Sequence, residues 1–133
     1  MSERVTGIGG IFFRARDPEA LAGWYAQHLG VTFDPLWQQE AGPTVWAAFR
    51  ADTEYFGRPD QAWMVNFRVR DLDAMVAQLR AAGIEVQRGP QDEAGRFART
   101  HDPEGNPIEL WEPLPFPHLT RGSARGRTHY LVE

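Results

Sequence analysis

The sequence predicts an α+β fold made of two β-α-β-β-β modules that curl into one mixed sheet with the helices outside. Three observations carry this. Residues 13–20 read Phe-Arg-Ala-Arg-Asp-Pro-Glu-Ala and residues 67–74 read Phe-Arg-Val-Arg-Asp-Leu-Asp-Ala, so one strand-to-helix corner is written twice. Each copy runs on into an amphipathic helical stripe. Each stripe is followed by three short strand-like segments. A supersecondary unit repeated at long period marks a duplicated module.

In the first module, Ile8–Ala15 alternates as a strand does, with Ile11, Phe13 and Ala15 on one face and Gly10, Phe12 and Arg14 on the other. Asp17 is placed to cap a helix that has Pro18 at its first position, where a missing N–H costs nothing. Leu21, Trp24, Tyr25, His28 and Leu29 then fall on one helical stripe, and Gly30 ends it in a left-handed cap. Val31–Trp37, Thr44–Arg50 and Thr53–Gly57 read as strands, with Pro35 at a bend or edge. Gly42-Pro43 and Gly57-Arg58-Pro59 punctuate them.

The second module begins near Ala62. Val65, Phe67 and Val69 form the apolar face of its first strand; Met64, Asn66 and Arg68 form the other. Asp71 caps a helix whose stripe is Leu72, Met75, Val76 and Leu79, and Gly83 closes it. Ile84–Arg88, Arg96–His101 and Asn106–Glu112 are the remaining strands, with a tight turn at Asp102-Pro103-Glu104-Gly105-Asn106. The domain boundaries expected are about 7–58 for module one, 62–113 for module two, and an arm over 114–133.

Composition narrows the function. The chain has 133 residues, enough for one domain, and 42% hydrophobic against 24% charged residues, enough for an ordinary core. No cysteine is present, which excludes disulfides, thiolate metal ligands and a cysteine nucleophile. The net charge of −4 argues against a nucleic-acid partner. No apolar run reaches the roughly 20 residues of a membrane helix, and Met1–Gly10 lacks the apolar core of a signal peptide. A cytoplasmic protein with no membrane partner is expected.

Helices striped on one side must cover the apolar sheet face, formed by Ile11, Phe13, Val65, Phe67, Ile108 and Leu110. The opposite face then carries Phe12, Arg14, Met64, Asn66, Arg68, Glu109 and Trp111, with Trp46 and Glu54 as neighbours. It is too mixed for a dry core and too rich in rings and arginine for plain solvated surface. Curled inward, it makes a half-open pocket, and these nine residues are the candidate ligand-binding set.

The duplicated module, together with the run Asp102-Pro103-Glu104-Gly105-Asn106-Pro107-Ile108-Glu109-Leu110-Trp111-Glu112-Pro113, resembles the vicinal oxygen chelate superfamily, which includes glyoxalase I, bleomycin-resistance proteins, fosfomycin-resistance proteins and extradiol dioxygenases. The resemblance covers about residues 7–113. It implies a cup, usually completed in a homodimer. In the enzymes it implies one divalent metal, held by His or Gln on the first strand of each module and by Glu on the last. Carried onto this chain, the first-strand positions fall on Gly10 and Met64, 54 residues apart, the repeat distance. Glycine has no side chain and a thioether is a soft ligand. Only Glu109 is retained, with Glu54 its expected counterpart in module one. No metal ligand is assigned and no cofactor is expected; a divalent metal is the alternative.

Each candidate has more than one reading. Glu109 is a base, a charge partner for a ligand, or the partner of Arg14 and Arg68 in a structural ion pair. Those arginines either clamp an anionic ligand group or balance nearby acids. Trp46 and Trp111 are expected to line the pocket, with Trp37 and Trp63 open to core or interface roles. His101 is a strand-end histidine or an acid/base group. Three functions stay open: a metal-independent small-molecule binder of the bleomycin-resistance type, which leads; a lyase, isomerase or dioxygenase using Glu109; and a non-catalytic interaction module.

Overall fold

The computed structural model describes residues 2–115; residues 116–133, which hold most of the expected arm with His118, His129 and Arg121–Arg127, lie outside them. The elements in order are α1 (Pro18–Leu29), β1 (Val65–Arg68), α2 (Leu72–Ala81), β2 (Gln87–Asp92), β3 (Gly95–His101) and β4 (Pro107–Pro113). The fold is α+β, as the sequence predicts. The sheet has the order β1-β4-β3-β2, with β1 parallel to β4 and the other pairs antiparallel, so it is mixed and open.

Both helices start and stop where their caps dictate. The Asp17 and Asp71 side chains accept from the backbone N–H of Ala20 and Ala74, three residues on. Gly30 takes the left-handed conformation and returns its N–H to Ala26. One core joins α2 to the sheet: Leu72, Val76 and Leu79 meet Val86, Ala98, Ile108 and Leu110, with Trp24, Tyr25 and Leu29 of α1 and Phe67 of β1 packed against them. The face assignment of the second module therefore holds, because Ile108 and Leu110 point to the helices while Glu109 points away.

The first module departs from expectation. Ile8–Ala15, Val31–Trp37, Thr44–Arg50 and Thr53–Gly57 form no strand; only Phe49 makes an isolated bridge. Ile11 and Phe13, placed in the core by their alternation, are exposed, with Phe13 set against Tyr25 and Trp63. Alternation specifies which side chains share a face, but a strand also needs a continuous hydrogen-bonded neighbour, and among the described residues these segments have only the single bridge at Phe49. The second strand of module two is displaced as well: β2 begins at Gln87 rather than Ile84, since Ile84 and Val86 are drawn into the core under α2.

Module one is held by the Asp102–Asn106 turn. Asp102 is buried and accepts from the backbone N–H groups of Glu104 and Asn106, from the Asn106 amide, and from the Tyr25 hydroxyl of α1 at 2.7 Å. Burial, then the Asp102 carboxylate, pushes the Tyr25 phenol well above its usual range. The next acid, Glu104, accepts the backbone N–H of Arg16 at 2.7 Å and of Asp17 at 2.9 Å, just ahead of α1. At the other end, Asp73 receives both Arg88 and Arg96, and Glu112 accepts the N–H of Leu72, tying α2 to β2, β3 and β4.

Two outcomes are expected. A Cβ at Gly95, where φ is 139°, would lie 2.2 Å from the Glu112 carbonyl oxygen; Gly95→Ala should destabilise by ~2 kcal/mol or more. By contrast Gly23→Ala, in open space within α1, should stabilise by ~0.5–1 kcal/mol, both measured by urea denaturation. The bonds from Arg16 and Asp17 hold the Glu104 carboxyl below its ordinary value of 4.5. A carboxyl lowered on folding stabilises in full above the ordinary value and ceases to do so as pH falls through the lower, folded one. The melting-temperature difference between wild type and Glu104→Gln should thus be constant from neutrality to about pH 5 and vanish in stronger acid.

Candidate functional site

The site is built on the sheet face turned away from α2. Glu109 sits at its middle on β4, 3% exposed. Its register neighbours are Asn66 on β1 and Arg99 on β3. The Asn66 amide donates to Oε1 at 2.8 Å, and the Tyr55 hydroxyl donates to Oε2 at 2.5 Å. The Tyr55 ring carries the Arg99 guanidinium above it, 4.4 Å from the ring centre. Phe49 stacks with the Tyr55 ring, their centres 5.9 Å apart. A buried carboxylate is thus satisfied by a phenol and an amide, with a cation over the phenol ring.

Of the sequence-predicted residues, the structure brings Asn66 and Glu109 together. Arg68 lies at the adjacent register position, beside Trp111. Its guanidinium donates to the carbonyls of Pro43 and Glu40, and Gly42 lies flat against it. The expected ion pair of Glu109 with Arg14 and Arg68 is therefore replaced: Arg68 holds the 40–43 loop, and Arg14 is exposed. Met64 is partly buried. Trp111 is 2% exposed, stacked parallel to Phe97, and its Nε1–H donates to the Ala94 carbonyl at 3.0 Å. It supports the site from within the sheet instead of standing as a wall. Phe12 and Trp46 are 94% and 88% exposed, and Glu54 is exposed in a turn closed by Gly57. His101, at the end of β3, is exposed.

Tyr55 and Arg99 were missed. Tyr55 was within reach of the sequence: Gly10 and Met64 differ by 54 residues, as do Arg14 and Arg68, and the same step back from Glu109 lands on Tyr55, not Glu54. Arg99 had a weaker signal, one strand residue facing Glu109 across an antiparallel pair.

The comparisons with known proteins agree with this architecture. Residues 10–111 match the model of the glyoxalase-like domain, and the chain belongs to that family, within the vicinal oxygen chelate superfamily. Among solved structures, it is similar to the crystal structure of TnmS3, an antibiotic binding protein from Streptomyces sp. CB03234, at 21% identity and a TM-score of 0.59, over 85% of this chain and 100% of that one. No curated protein matches.

The metal that the superfamily implies does not fit the donors here. The equivalent positions hold Gly10, Tyr55, Met64 and Glu109, without an imidazole, and both Glu109 oxygens accept hydrogen bonds. Among the described residues, no three histidines or acids cluster as metal ligands. Nor is any helix there long and apolar enough to cross a membrane.

Tyr55→Phe removes the donor 2.5 Å from a buried carboxylate oxygen. It should cost about 1–3 kcal/mol in urea denaturation, whereas Glu54→Gln, at an exposed turn, should fall within about 0.5 kcal/mol of wild type.

Proposed function

We propose that this protein binds a small organic molecule without a metal, on the sheet face around Glu109. The observation that carries the reading is the hydrogen bond from Tyr55 to Glu109. At two positions where the enzymes of the superfamily hold a cation, this chain has a phenol donating to a carboxylate, so the cleft is cross-linked by a proton. The remaining equivalents, Gly10 and Met64, supply no hard donor. The likeness to an antibiotic binding protein supports the same class. Asn66, Glu109 and Arg68 on the sheet, with Met64 beside them, offer polar and soft contacts. The exposed rings of Phe12 and Trp46 offer stacking surface. A homodimer belongs to this reading: Ile8, Ile11, Phe33 and Leu36 are exposed along unpaired segments, a surface that a second copy would cover.

The protein purified without added metal should carry no stoichiometric Ni, Zn, Mn or Fe by elemental analysis, before or after dialysis against Zn or Mn. A panel of flat aromatic compounds should quench tryptophan fluorescence saturably, and Trp46→Ala should weaken the response by severalfold. Stoichiometric metal, or silence across the panel, refutes the reading.

A further inference from the structure

We propose that Arg99 is the ligand's anchor and that the ligand therefore bears a carboxylate. This rests on the small-molecule reading above and assigns the chemical class that reading leaves open.

The argument begins with which cation faces Glu109. Arg99 is opposite Glu109 in the β3–β4 register, on the same sheet face. An arginine and a glutamate so placed ordinarily pair. Here Glu109 has its oxygens on Tyr55 and Asn66, and Arg99 forms no ion pair among the described residues. Its Nε–H is buried with no acceptor, and its guanidinium plane lies over the Tyr55 ring. Other arginines nearby differ. Arg68 is held by two carbonyls, and Arg88 and Arg96 share Asp73.

A buried donor without an acceptor is costly in a folded protein and rare. The guanidinium fork matches a two-oxygen anion along its Nε–Nη edge, so a carboxylate that displaces the groups covering that edge would supply the acceptor that Nε lacks. Stacking on Tyr55 fixes the orientation of the fork in advance, which lowers the ordering cost of binding.

The test uses naphthalene-2-carboxylate and its neutral carboxamide, which differ in charge but hardly in shape, titrated into the full chain by tryptophan fluorescence and by the ¹⁵N-resolved Arg Nε–H resonances. The carboxylate should bind about tenfold tighter than the amide and shift one Nε–H signal, which Arg99→Lys deletes. Arg99→Gln should abolish the preference, Arg99→Lys should keep part of it, and Arg14→Gln should leave it whole. Equal binding of the two probes by wild type overturns the inference and leaves the binder reading standing. So does a preference that survives in Arg99→Gln. Binding of neither probe overturns the inference; the aromatic panel then decides the binder reading separately. The wild-type Nε–H shift needs no variant, so a poorly folded Arg99→Gln would not rescue the idea.

Discussion

Asp102 is buried with a charge that must be matched, and everything that matches it comes from two places. Three donors are local and close the turn between β3 and β4; the fourth is Tyr25 on α1, 77 residues earlier. Glu104, two residues on, reaches the backbone just before α1. One turn of module two therefore sets the position of the first helix. The segments of module one that follow α1 hang from that point, and through them Tyr55 arrives over Glu109. If this turn were not saturated, the carboxylate would be a buried unpaired charge and the two modules would lose their fixed relation.

β4 is the strand on which the two faces meet. Ile108 and Leu110 face α2 and the main core; Glu109 and Trp111 face the site; Glu112 caps α2. Alternation along one strand thus couples core packing to site geometry, because a slip of one residue would exchange Leu110 with Glu109. The parallel pairing with β1 carries Asn66 to its place at the same time. The site is preorganised by secondary structure on one side, at Asn66, Glu109 and Arg99, and by a loop on the other, at Tyr55.

The second module was legible almost residue by residue, since its caps, stripe and alternation all act locally. Asp71, Leu72, Val76, Leu79, Ile108 and Leu110 stand where periodicity puts them. The first module was legible only as a helix. Its strand-like segments alternate well enough, but pairing is a tertiary event that alternation does not contain. The site was half legible. Asn66 and Glu109 share the face that alternation assigned them, whereas Tyr55 was missed, although the repeat distance points to it and not to Glu54. Trp111 was misjudged because an aromatic on the pocket face of a central strand can equally be sealed by its neighbours, here Phe97 and the Ala94 carbonyl. Arg68 was misjudged because the carbonyls that capture it lie in a loop with no pattern to betray them.

The centrality of β4 has a consequence for how the chain is made. Residues 107–113 come last of the described elements, yet β1 and β3 both need them as neighbours. Until residues 107–113 emerge, β1 has no strand to join and Ile108 and Leu110 are not there to cover α2. The nascent chain must keep its apolar residues out of contact with other chains until residue 113 has left the exit tunnel. Assembly of this sheet waits on its central strand, and the interval before that strand emerges is when the chain is most exposed to aggregation.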